Sequence, residues 1–360
     1  MVMQTIIVRS ENMRQIRLRR FFTLVICLLL VAAPASANIT DVLIYDLSDV
    51  EGHWAENQMT HLVAMGIVKG YPSTRYDEQM RAYVPARKLL PNQNITRAEF
   101  AVMMFQTLNL TPAAGKASFK DAAKIPSWAR EAVNTLYQKE IIYGDTQGNF
   151  NPNANIRRAE IAAMVVKGLH DRSPVKQPRS FPDVSDEHWA AEVIQKAADM
   201  GIIRGKSNGK FEPGSYATRA EVMTMLYNML SNDKTQVPDD EELLAVTDAY
   251  MAKNEELLNG GAPYDLSPLK EYLTGTEEAA LATNADALNE MADRNISLKY
   301  EILSKGKVMN KSDWLAQVTY DSKMTVKDAG GENVINMTEY VYLMKIDGKW
   351  LIYYVPSEPI

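Results

Sequence analysis

Thr96-Arg97-Ala98-Glu99, Arg157-Arg158-Ala159-Glu160 and Thr218-Arg219-Ala220-Glu221 decide how the first two thirds of this chain folds. Each tetrapeptide closes a unit that also holds an Asp-Val or Asp-Ala pair, a Trp and a Gly, so one module is written three times. Units of this length bury their apolar faces by packing on one another rather than alone.

The register within the units is tight. Asp49-Val50, Trp54 and Gly66-Ile67-Val68-Lys69-Gly70 recur as Asp121-Ala122, Trp128 and Glu140-Ile141-Ile142-Tyr143-Gly144, then as Asp183-Val184, Trp189 and Gly201-Ile202-Ile203-Arg204-Gly205. Between each Trp and the following glycine stretch lies a helix-length segment, such as Ala191 to Met200, with apolar residues on a helical period. Gly66 and Gly201 suit a left-handed C-terminal cap, which Glu140 must supply without a glycine's freedom.

A second helix is expected after Pro91, Pro152 and Pro213, each six residues before the Arg of its tetrapeptide. Thr96 with Glu99 and Thr218 with Glu221 spell the capping box, in which each side chain satisfies a backbone N–H at the helix start. Arg157 stands where the second unit should have Thr, which predicts a looser helix there and a weaker second groove. In unit one, Trp54 and Arg97 are 43 residues apart, against 30 for the matching pairs, so thirteen residues are inserted around Tyr71 to Leu90, expected to form a surface loop.

At the N-terminus, Arg14, Arg17, Arg19 and Arg20 precede an apolar run from Phe21 to Ala33 and then Ala35-Ser36-Ala37, the pattern of a secretory signal over residues 1–37. Its thirteen apolar residues fall short of the roughly 20 that a spanning helix needs. Cys27 is the one cysteine, so the exported chain would carry none and would hold its fold by burial. Its net charge would be about −10, which argues against nucleic acid as a partner and leaves any anion to be bound by local groups.

Residues 231–240 are polar and acidic, as between domains, and residues 241–360 read differently. Leu243, Val246, Tyr250 and Leu257 give one amphipathic helix and Leu281 to Met291 another. Alternation follows in Ile296 to Ile302, Trp314 to Tyr320, Tyr340 to Ile346 and Trp350 to Tyr354, with Asp347-Gly348 as a hairpin turn. This is an α+β domain with an antiparallel sheet. Two helices followed by long hairpins resemble the cone-shaped nuclear transport factor 2-like superfamily, which brings no functional motif.

No metal or cofactor site is indicated, because none of the four histidines has a Cys or second His at ligand spacing. The region after residue 240 has neither His nor Cys, which removes the usual nucleophile and base pairs. The triplicated Arg is different. A cation in the first turn of a helix faces the positive end of the macrodipole and is favourable only with an anion beside it. That anion could be an outside carboxylate or phosphate, or a neighbouring acid such as Asp49, Asp121 or Asp183. Trp54, Trp128 and Trp189 read first as packing anchors and second as faces for sugar.

Taken together, three copies, with the departures noted above, of F-x-D-V, H-W, G-I-x-x-G, F-x-P and T-R-A-E from Tyr45 to Leu230 closely resemble surface-layer homology domains. The resemblance implies a mostly α, pseudo-threefold bundle of units 45–110, 118–170 and 180–230. Its grooves would hold an anionic secondary cell-wall polysaccharide linked to peptidoglycan, often one carrying pyruvate ketals. It further implies Arg97, Arg158 and Arg219 as the main polymer contacts, and the same motifs bring Asp49, Asp121, Asp183, Trp54, Trp128, Trp189, Gly70, Gly144 and Gly205 into the expected site. The resulting expectation is a secreted bacterial protein held on the wall, displaying a separate C-terminal domain that could bind, dimerise through its sheet or act as an enzyme.

Overall fold

The structure is a computed structural model that describes residues 47–77, 81–169 and 180–360; the signal segment 1–37 and His170 lie outside them. Each repeat contributes two helices: α1 (Glu56–Ala64) and α2 (Arg97–Thr107), α3 (Ser127–Gln138) and α4 (Arg158–Gly168), then α5 (Ala191–Asp199) and α6 (Arg219–Ser231). Met59 and Leu62 of α1, Phe100 and Met104 of α2, Leu136 of α3, Ile161 and Val165 of α4, Ile194 of α5 and Leu226 of α6 fall in one continuous core. Among the described residues, no unit has a core of its own.

Backbone bonds close the three units into a ring. Ile95 N–H donates to Ala217 O, Ala217 N–H to Ile156 O, and Ile156 N–H to Ile95 O, all within 3.0–3.1 Å. The first N–H groups of each second helix are also taken by a neighbour: Ala98 donates to Pro152 O, Ala159 to Pro213 O and Ala220 to Pro91 O. These helix starts are therefore occupied by the protein itself, and the six-residue Pro-to-Arg spacing serves that exchange.

The capping boxes of Thr96–Glu99 and Thr218–Glu221 form as expected. At α4 only half survives, with Arg157 N–H donating to Glu160 Oε2 at 2.8 Å and no side-chain cap in return. Glu140 does end its helix in the left-handed region, at φ 57°, where Gly66 and Gly201 sit at 76° and 69°.

The insertion is not a loop. Tyr71–Asp77 (β1) and Ala82–Lys88 (β2) pair antiparallel with Tyr76 opposite Tyr83, because its tyrosines and Val84 favour an extended, laterally paired backbone over coil.

In the C-terminal region, α7 (Asp240–Asn259) and α8 (Gly275–Asp293) pack on strands β3 (Ser297–Ile302), β4 (Lys307–Lys311), β5 (Leu315–Asp328), β6 (Gly331–Ile346), β7 (Lys349–Tyr354) and β8 (Ser357–Pro359). The β5–β6 hairpin is the spine; β3 and β4 lie end to end along β5, and β7 and β8 along β6. Asp347 and Gly348 take φ of 48° and 78°, as the tight turn requires. Tyr300, Tyr320, Trp350 and Val341 fill the concave face.

Two sequence expectations about this region change. It is not separate: Leu315, Met344 and Tyr353 join the core of the repeats, and His61 of α1, 3% exposed, is ringed by Tyr227, Tyr342, Tyr353 and Tyr354. That contact covers part of the sheet face through which a dimer was expected. Residues 231–240 are also stitched down, with Trp314 Nε1 donating to Asp233 at 3.0 Å and Gln236 N–H to Asp313 at 2.7 Å. The polar composition marks partners across a junction rather than a free linker.

Candidate functional site in the repeats

The three arginines of the tetrapeptides are buried, at 8%, 3% and 3% exposure for Arg97, Arg158 and Arg219. Each Nε donates to a backbone carbonyl at 2.7 Å: Arg97 to Phe150, Arg158 to Phe211 and Arg219 to Leu89. Each guanidinium then faces the tetrapeptide glutamate of the next unit. Arg97 pairs with Glu160, Arg158 with Glu221 at 2.9 Å, and Arg219 with Glu99 at 4.0 Å. The anion that relieves the helix-dipole fault is thus the protein's own.

It is not one of the aspartates. Asp121 accepts from Phe150 and Asn151 N–H at 2.7 and 2.8 Å, Asp183 from Phe211 and Glu212, and Asp49 from Leu90. Leu90, Asn151 and Glu212 all have positive φ (52°, 56° and 58°), so each carboxylate steadies the strained turn before a second helix. Two of the glycines answer to close approach: a Cβ on Gly205 would meet Lys210 O at 2.9 Å and one on Gly70 would meet Lys88 O at 2.8 Å.

The tryptophans overturn their first reading. Trp54, Trp128 and Trp189 are 63%, 58% and 67% exposed, whereas the alanines that follow them, Ala55, Ala129 and Ala190, are fully buried. A small residue is what the crowded helix start accommodates, and it turns the indole outward. The histidine before Trp has a local task in two units, since His53 Nδ1 accepts from Ala55 N–H and His188 Nδ1 from Ala190 N–H.

One groove of about 380 Å³ gathers expected residues from all three units: Arg97, Gly144 and Trp189 line it together. Beside them stand Tyr143, Arg157, Lys167 and Tyr216, which the sequence reading had not assigned to a site. The Arg157 guanidinium lies 5.1 Å from the centre of the Tyr216 ring, and Lys167 Nζ lies 3.7 Å from that of Tyr143. Burial lowers the Lys167 ammonium pKa somewhat, with Glu140 opposing that effect. At the third arginine the hairpin intervenes: Tyr71 sets its ring 4.6 Å from Arg219 and donates its hydroxyl to Glu99. Among the described residues no His, Cys, Asp and Glu cluster could hold a metal ion, and no helix is long and apolar enough to cross a membrane.

The S-layer homology domain profile matches residues 46–101, 118–162 and 180–223. The chain carries three S-layer homology domains. With them it is similar to S-layer protein EA1 of Bacillus anthracis, 30% identical over 65% of this chain and 25% of that protein. It is likewise similar to an amylopullulanase of Thermoanaerobacterium thermosulfurigenes, 31% identical over 51% of this chain and 9% of the enzyme. The chain thus spans a quarter or less of these relatives' lengths. Three S-layer homology domains indicate a secreted protein of the cell surface. Among solved structures, a ketosteroid isomerase-like protein from Erwinia carotovora atroseptica is similar at 17% identity over 34% of this chain and 98% of that one. Its TM-score of 0.25 is too low to carry an argument.

Proposed function

We propose that the three S-layer homology domains hold this protein non-covalently on the cell wall by binding an anionic secondary cell-wall polysaccharide. The observation that carries this reading is the groove in which Arg97, Gly144 and Trp189 from three units meet beside two exposed cations, with aromatic faces for sugar rings. The cyclic exchange of backbone bonds supports a pseudo-threefold bundle whose units jointly make such grooves. Arg97, Arg158 and Arg219 then act chiefly by fixing the groove walls, and Trp54, Trp128 and Trp189 supply exposed stacking faces.

The C-terminal domain is read as a displayed binding or interaction domain. The enzyme reading would need an open pocket holding a carboxylate of raised pKa. Glu339 meets one half of that requirement, because burial raises its carboxyl, but it is packed under the hydroxyls of Tyr300 and Ser322. Calorimetric titration of the full chain with polysaccharide released from purified wall sacculi tests the anchoring reading. Saturable heat is expected; none at any concentration would dismiss it.

A further inference from the structure

The groove at the second unit has an uneven charge inventory. Arg97 is spent on Glu160 and on the carbonyls of Phe150 and Tyr143. Glu160 is spent on Arg97 and the Arg157 N–H. Asp145 is turned into its own loop, accepting from Gln147 and Asn149 N–H and from Asn151 Nδ2. Among the described residues, neither Arg157 nor Lys167 is in a direct ion pair with a carboxylate, Glu140 acting on Lys167 only at longer range, and both are exposed to the groove. Arg157 is also pre-positioned, with one Nη1–H on Gly214 O and its plane over Tyr216. A guanidinium held in this way keeps other N–H groups to offer a ligand and loses little side-chain freedom on binding.

Resting on the wall-binding reading, we propose that Arg157 and Lys167, outside the shared tetrapeptide arginines, are the anion-recognising pair of this groove, receiving a sugar with a single carboxylate or phosphate whose ring stacks on Trp189. The replacement of Thr by Arg at position 157 gives up a helix cap and gains a ligand contact. The second groove is on this account the strongest for an anion rather than the weakest.

The test titrates the full chain with glucuronic acid, glucose 6-phosphate and glucose, followed by tryptophan fluorescence and by ligand saturation transfer. At least one anionic sugar should bind about tenfold more tightly than glucose, and Arg157→Thr and Lys167→Met should each lose about tenfold. Which anionic sugar binds tells carboxylate from phosphate recognition. The proposal is overturned if glucose binds as well as both anions, or if both folded variants match the parent; Arg157→Lys, which keeps the charge, should recover part of the loss. Retention on wall sacculi separates this claim from the anchoring claim. A double variant that still pellets fully refutes the pair alone, whereas a chain that binds the anionic sugar but never pellets refutes anchoring alone.

Discussion

Arg158 of the second unit donates to Glu221 of the third at 2.9 Å, and the glutamate that receives it also accepts the Thr218 N–H at the start of its own helix. One carboxylate thus caps a helix and neutralises a cation from the neighbouring unit, which ties local structure to assembly. Removing one partner of a buried, hydrogen-bonded pair leaves the other unpaired. Glu221→Gln should cost about 3 kcal/mol in urea unfolding. Glu99→Gln should cost less, about 1 kcal/mol, since Arg219 stands 4.0 Å away and keeps Tyr71 against its face. Equal losses would contradict the relay as described.

Arg157→Thr would restore the missing half of the capping box with Glu160 already in place. The expected gain is about 1 kcal/mol, read as a raised melting temperature, in a variant whose groove binds anions less well. A variant both stabler and unimpaired in binding would remove the reason for an arginine at this position.

His61 is expected to couple stability to pH at the junction between the repeats and the sheet. Burial depresses its pKa from 6.5 to about 4, so the folded state holds it neutral with Nδ1 at 2.9 Å from the Tyr353 hydroxyl. Between those values the unfolded chain binds the extra proton, and stability present above pH 6.5 is lost as pH falls toward 4. The loss attributable to this group is about 3 kcal/mol at its limit. His61→Gln should flatten that part of the stability–pH curve; an unchanged curve would mean the junction opens without protonation.

Glu339 carries the opposite sign. Its folded pKa is raised by burial, so the native state holds the proton better and stability falls as pH rises from 4.5 through the raised value. Glu339→Gln should be relatively more stable at pH 8 than at pH 4 when compared with the parent. Glu339→Ala should lose about 2 kcal/mol or more at either pH, because the hydroxyls of Tyr300 and Ser322 are left without an acceptor. Denaturant midpoints at the two pH values distinguish the cases.

Much of the fold was legible because its determinants are local. The Thr-x-x-Glu boxes, the helical period of Ala191 to Met200 and the Asp347-Gly348 turn each depend on neighbours in sequence, and each formed as read. The destinations of Arg97, Arg158 and Arg219 were not legible, since their acids lie 63 to 120 residues away and share a motif with them, which hid partner and ligand behind the same pattern. Trp189 was misread for a related reason: size argues for burial, but the alanine beside it takes the buried place. Lys167 offers no motif and enters the site only because α4 forms one groove wall. The docking of His61 among Tyr227, Tyr342, Tyr353 and Tyr354, all far away in sequence, depends wholly on tertiary packing.

Pelleting of the purified full chain with wall sacculi, before and after the sacculi are stripped of their polysaccharide, tests the central claim most directly. The account predicts that the chain sediments with intact sacculi, is released as salt rises, and stays in solution with stripped ones. Equal sedimentation with both would contradict recognition of the polysaccharide, and sedimentation with neither would contradict anchoring to the wall.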